Sequence, residues 1–167
     1  MKIECKPTKY KGTTYRSRLE AKWAIFFDAL GVKHWYEPEA VETIYGGYLP
    51  DFWLPQVCLW AEVKPEAFTP MQRHKLNSVV VEDYNAHGGI CLDGEPECRS
   101  YEIIYNDRST DDVAISNKYG RADRERRFYS APHMCDFAPA APCSDTADAV
   151  EELKHWRFDN GVAKRFK

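Results

Sequence analysis

No run of apolar residues in this sequence of 167 residues approaches the roughly 18 needed for a helix to cross a bilayer, which argues against a membrane-spanning chain and a membrane partner. The opening Met1-Lys2-Ile3-Glu4-Cys5-Lys6 lacks the apolar segment of a secretory signal, so a cytoplasmic protein is expected. There is no internal repeat, no glycine-rich phosphate loop and no Gly-x-Ser-x-Gly elbow. These absences set aside solenoids, P-loop nucleotidases and serine hydrolases. Closely spaced cysteine pairs are also missing. The six cysteines include Cys91-x6-Cys98 and, after His133, Cys135-x7-Cys143, spacings too wide for a zinc knuckle, so free thiols are expected and zinc is not. Net charge is small, −3, which is no signature of a general nucleic-acid coat.

The charge is unevenly spread, however. Residues 1–18 carry +5, 118–127 carry +3 and 154–167 carry +4, whereas 82–112 hold nine acids against two bases, a segregation able to leave one basic face. With 44% hydrophobic residues the chain can bury one core, so a single domain with insertions is expected. Residues 1–16 read as an arm or short strand, either a DNA-backbone contact or a solvated terminus. Ser17 opens a helix to Leu30 with an apolar stripe of Leu19, Trp23, Phe26, Phe27 and Leu30, and Gly31 stops it. Residues 34–42 read as the first strand, interrupted at Pro38; their acids Glu37, Glu39 and Glu42 read mainly as solvated. Gly46-Gly47 turns the chain onward. A second helix starts at Thr69-Pro70, buries Met71, Leu76, Val79, Val80 and Tyr84, and ends near Gly88-Gly89. Strands follow at 90–92 and 101–105, then a long loop over 106–125, a basic run at 121–127, a strand at 128–133, and a last helix capped by Ser144 or Asp145 and anchored by Ala149, Leu153 and Trp156.

Between these elements lies the most informative stretch, 48–65. Two strand-like runs, 48–54 and 57–64, flank Pro55-Gln56, which reads as a two-residue hairpin loop. Such a loop pairs Leu54 with Val57 and sets Asp51 opposite Trp60. Side chains repeat every second residue, so Asp51, Glu62 and Lys64 project from one face of the ribbon. Burying unpaired charge is costly, and a hard divalent cation would relieve the cost. Glu20 is ambiguous: Ser17-x-x-Glu20 is a capping box, yet the glutamate can also serve a metal.

Pro50-Asp51 followed by Glu62-Val63-Lys64 resembles the signature of the PD-(D/E)XK nuclease superfamily, the restriction-endonuclease-like fold, and the surrounding order of helix with a glutamate, hairpin and second helix is similar too. The likeness covers roughly the first half of the chain, from about residue 15 to about residue 90. It implies an α/β fold with a mixed central sheet flanked by helices and a nuclease-like core over 1–105; the C-terminal third resembles no family, and 106–167 reads from its own residues as a loop-rich extension packed on the same domain. It implies Mg²⁺-dependent hydrolysis of DNA phosphodiesters, with Mn²⁺ as a substitute: Asp51 and Glu62 as ligands, the Val63 carbonyl as a further ligand, Lys64 acting on the water, and Glu20 completing the site. Lys9, Lys11, Arg16, Arg18, Gln72, Arg73 and Lys75 are the candidate DNA contacts. Double-strand cutting implies a homodimer or a larger complex, and small proteins of this kind suggest a phage or mobile-element origin. The alternatives are a repurposed DNA- or protein-binding module of the same fold and an RNA-directed nuclease.

Overall fold

Ser17 adopts an extended conformation and its Oγ accepts from the Glu20 N–H at 3.1 Å, which starts helix α1 (Arg18–Leu30). Gly31, at φ 70°, closes it with its N–H on the carbonyls of Asp28 and Phe27, a left-handed turn that glycine makes without a Cβ penalty. The computed structural model describes residues 5–96, 102–106, 113–116 and 151–166. Helix α1 buries more than the expected stripe: Ala21, Ala24 and Ile25 are covered as well as Trp23, Phe26, Phe27 and Leu30, while Leu19 is half-buried. The added cover is a hairpin ahead of the helix, β1 (Thr8–Tyr10) and β2 (Thr13–Tyr15), whose Tyr10 and Tyr15 face the core. The first strand is therefore in the basic arm, not at 34–42.

That later segment divides. Trp35–Tyr36 form β3, Glu37 takes a left-handed φ of 43° ahead of Pro38, and Val41–Thr43 form β4, paired with β5 (Gly46–Tyr48) in a separate hairpin. Gly46-Gly47 therefore lies within a strand. The apolar run 48–54 is likewise split, because Pro50 has no N–H for a ladder; only β6 (Phe52–Leu54) joins the central sheet. Strand β6 pairs with β7 (Leu59–Lys64) in the register Phe52↔Ala61, Trp53↔Trp60, Leu54↔Leu59. The connection is four residues long, with Cys58 at φ 54°, and not the two-residue loop expected. A two-residue loop needs positive φ at its first position, and the Pro55 ring forbids that. Because the correction is an even number of residues, faces are preserved and Asp51 moves from opposite Trp60 to opposite Glu62.

Strand β7 is the buried centre. Its Leu59, Ala61 and Val63 join the α1 cluster with Phe52, Leu54, Ile90 and Leu92, while Trp60 faces the other way, onto the cluster of α2 (Pro70–Glu82). Helix α2 carries the chain over to β8 (Gly88–Asp93), which lies parallel to β7. The central sheet has the order β10-β9-β8-β7-β6-β3, adding β9 (Glu102–Asn106) and β10 (Val113–Ser116), and its other pairings are antiparallel. The chain is thus α/β with mixed sheets. Strand β10 falls where a loop was expected.

Helix α2 has the expected cap, Thr69 with Gln72 closing a capping box, but a narrower buried stripe. Met71 is 54% exposed and Tyr84 81%, since five residues from Met71 to Leu76 turn the helix well away from its Leu76-Val79-Val80 face, and Tyr84 lies beyond the helix end. Gly88-Gly89 does not cap α2; it belongs to β8. A Cβ on Gly89 would stand 2.8 Å from Leu76 Cγ, so a glycine there lets the helix sit close to the sheet.

At the C-terminal end, residues 151–154 are helical but Trp156 is already in β11 (Trp156–Asp159), not on a helix. Asn160 and Gly161, at φ 50° and 71°, make the tight turn to β12 (Val162–Arg165). Strand β12 pairs in parallel with β1, giving a second sheet in the order β11-β12-β1-β2. The strand at 128–133, the run at 121–127, the cap at Ser144 or Asp145, Ala149, and the zinc candidates Cys98, His133, Cys135 and Cys143 lie outside the described residues. Within them Cys5, Cys58 and Cys91 form no disulfide with one another.

Candidate active site

Asp51 stands one residue ahead of β6 and is 3% exposed. Its backbone carbonyl accepts from the Glu37 N–H at 2.9 Å, its Oδ2 from the Val63 N–H at 2.7 Å, and its Oδ1 from Arg16 Nη2 at 2.8 Å. Glu62, on β7, is 4% exposed. Lys64 Nζ donates to Glu62 Oε1 and, at 3.2 Å, to the Val63 carbonyl. Glu62 Oε2 is buried, and Lys64 is the one cation paired with this carboxylate among the described residues. Tyr48, at the end of β5, borders the same carboxylate: burial first, then the Glu62 charge and a side-chain hydrogen bond to Glu62, push the phenol up.

Electrostatics follow from this crowding. Burial, then the Glu62 charge, raise the Asp51 carboxyl to about 7; Glu20 adds to the rise, while the Val63 N–H and Lys64 oppose it. A buried carboxylate with a single cationic partner and a second carboxylate held up in pKa leave the face short of positive charge. A bound cation would supply it.

Glu20 is anchored from three sides. Its Oε1 accepts from Ser17 Oγ at 2.7 Å, and its Oε2 from the Arg16 N–H at 3.1 Å and from the Tyr36 hydroxyl at 2.5 Å. It thus acts as an extended cap, reaching one residue behind the N-cap. No hydrogen bond among the described residues joins it to Asp51, Glu62 or Lys64, yet its charge reaches Asp51. The Tyr36 phenol is pushed up by burial and by this bond.

Sequence reasoning had Arg16 as a phosphate contact and missed what it does here. Its guanidinium bridges Asp51 and Glu37, tying the N-terminal hairpin to the central sheet. Placement next to the Ser17 cap was the available signal. Tyr36 and Tyr48 carried none, because an aromatic at a strand end reads as core. The other basic candidates are elsewhere: Lys11 pairs with Asp28 at 2.7 Å, Arg18 Nη2 reaches the Phe158 carbonyl at 3.3 Å, and Lys9 is exposed on β1. Gln72 is held in the α2 capping box, Arg73 donates to the Phe68 carbonyl, and the Lys75 carbonyl accepts from Ser78 Oγ at 2.6 Å. Of the candidate DNA contacts, Arg16 alone hydrogen-bonds a site carboxylate among the described residues.

No family model matches the sequence, and neither does any curated protein. Nor, among the described residues, do three or more His, Cys, Asp or Glu side chains gather into a metal cage. The oxygen donors on hand are the carboxylates of Asp51 and Glu62 and the neighbouring Val63 carbonyl. Such a set fits a hard cation that keeps several waters, Mg²⁺ or Mn²⁺, better than one that requires a shell made wholly of protein. No described helix is long and apolar enough to cross a membrane.

Proposed function

We propose that this chain is a divalent-metal-dependent DNA endonuclease with a PD-(D/E)XK site on a restriction-endonuclease-like fold. The observation that carries the reading is Glu62: a carboxylate 4% exposed, opposite Asp51, with Lys64, two residues away, its one cationic partner among the described residues. Counted formally, Asp51, Glu62, Glu20 and Glu37 face Arg16 and Lys64, so two negative charges remain to attract a cation. The order of α1, the β6–β7 hairpin, α2 and β8 also agrees with that family's arrangement.

In this reading Asp51 and Glu62 would hold Mg²⁺, with the Val63 carbonyl beside them, and the ion would supply Lewis acidity at the phosphate. Lys64 Nζ, steadied by Glu62 Oε1 and the Val63 carbonyl, orients the attacking water and offsets charge as the transition state forms. Water adds to phosphorus, the bond to the 3′-oxygen breaks, and a 5′-phosphate and a 3′-hydroxyl result. The Val63 N–H and Arg16 orient Asp51, and Glu20 fixes the start of α1 against it.

A second reading has one observation in its favour. Arg16 and Lys64 already hold one oxygen each of Asp51 and Glu62, as in a binding module that has given up its chemistry. Plasmid nicking in Mg²⁺, with Mn²⁺ calorimetry, separates the two. Nicking lost in both Asp51→Ala and Glu62→Ala, with melting temperatures kept or raised, is expected; equal nicking by both variants and the parent refutes the site, and duplex binding without metal uptake favours the module.

A further inference from the structure

The two basic ends of the chain meet on one sheet face. Strand β12 lies parallel to β1 with Lys9 opposite Val162, and the Lys9 N–H donates to the Gly161 carbonyl at 2.6 Å. Strand β11 pairs Arg157 directly with Lys164. Alternation then sorts the sheet. Tyr10, Tyr15, Trp156, Phe158 and Ala163 turn toward the α1 core, with the Tyr10 and Trp156 rings edge to face at 5.0 Å. Lys9, Arg157 and Lys164 are exposed on the opposite side.

Two features distinguish this face from an ordinary solvated one. Nearby cations have partners: Arg165 is held by Glu152, Lys154 by Glu151 and Lys11 by Asp28. Lys9, Arg157 and Lys164 have no carboxylate partner among the described residues. In addition, Arg157 and Lys164 are directly opposed like charges, a cross-strand arrangement that costs stability. On the inner side of the same sheet, Arg18 donates to the Phe158 carbonyl with its guanidinium over the Phe158 ring, and Arg16, two residues earlier, lies on Asp51.

We propose that the outer face of the β11-β12-β1-β2 sheet binds the phosphate backbone of a DNA duplex through Lys9, Arg157 and Lys164. The inference rests on the nuclease reading for its choice of DNA. An anionic lipid surface fits less well, because the large apolar side chain near these cations, Phe166, has the Arg157 guanidinium over its ring at 4.6 Å. Backbone phosphates need only an array of cations and no base-specific geometry, which a flat strand surface supplies.

The test is fluorescence anisotropy of the full chain with a labelled duplex, in Ca²⁺ to block cleavage, across a KCl series. The triple variant Lys9→Gln, Arg157→Gln, Lys164→Gln should bind roughly 10-fold or more weakly at low salt, with the slope of log Kd against log salt reduced by about 2 to 3, equally for unrelated duplex sequences. Lys33→Gln, just beyond the other end of α1, should leave the slope unchanged. An unaltered slope in the triple variant, or sedimentation of the parent with phosphatidylserine vesicles in preference to duplex, overturns the proposal. The two readings fail separately. A parent that binds duplex through these residues yet never nicks it keeps the surface and loses the nuclease; nicking that needs Asp51 and Glu62 beside an unchanged slope does the reverse.

Discussion

Replacing Asp51 with asparagine should stabilise the metal-free protein at pH 8, by an amount its surroundings set. The carboxyl is raised from 3.8 to about 7 in the folded chain. At 1.36 kcal/mol per unit, holding it ionised in the fold costs up to about 4 kcal/mol. Asparagine avoids that cost and can still accept the Val63 N–H, but it loses the charge-assisted bond from Arg16, worth about 1.5–3 kcal/mol. A net gain of about 1–2 kcal/mol is expected, or about 2–8 °C in melting temperature. The sign against pH follows from proton uptake. Between the unfolded value near 4 and the folded value near 7 the native state binds more protons than the unfolded state, so parental stability falls as pH rises through that window. The variant lacks this contribution, and the difference between the two proteins should be greatest at pH 8 and close by pH 4. Urea melts of both proteins in EDTA at unit steps of pH measure it. A variant no more stable than the parent at pH 8, or a difference that does not shrink on acidification, refutes the argument. Adding Mg²⁺ at about 100 times its Kd should return about 2.7 kcal/mol to the parent at pH 8 and far less to the variant.

Glu20→Gln keeps most of the extended cap but removes its charge, so melting should change by less than about 1 kcal/mol while nicking falls by on the order of 10-fold or more; parental rates across a Mg²⁺ titration would leave Glu20 as a cap only. Lys64→Met should retain Mn²⁺ binding by calorimetry and lose on the order of 10²-fold in single-turnover rate, and a lost affinity with an unchanged rate at saturating metal would remove the lysine from the chemistry. Gly89→Ala places a methyl 2.8 Å from Leu76 Cγ and 3.3 Å from Val80 Cγ2, so about 1–3 kcal/mol should be lost in urea melts; an unchanged midpoint would show that α2 yields freely.

Local chemistry was legible in the order of the residues. The Ser17 and Thr69 caps and the Gly31 stop bound the helices as expected, because a cap is an interaction within three or four residues of the chain. The common face of Asp51, Glu62 and Lys64 could be read as well: strand side chains alternate, and an even error in register leaves them on the same side. Asn160-Gly161 is a hairpin signal legible in the sequence, and it places Trp156 on a strand where the apolar spacing predicts a helix.

What lay beyond the sequence was decided by partners distant along the chain. Pro55 and Cys58 set a loop whose length only the assembled sheet displays, and that loop brings Asp51 opposite Glu62 instead of Trp60. Arg16 meets Asp51 across 35 positions because the N-terminal hairpin folds over α1, and Lys9 meets Val162 because β12 returns beside β1. No periodicity encodes such encounters. They arise when separate apolar faces, each legible on its own, bury one another, and the polar groups at their edges come together as a consequence.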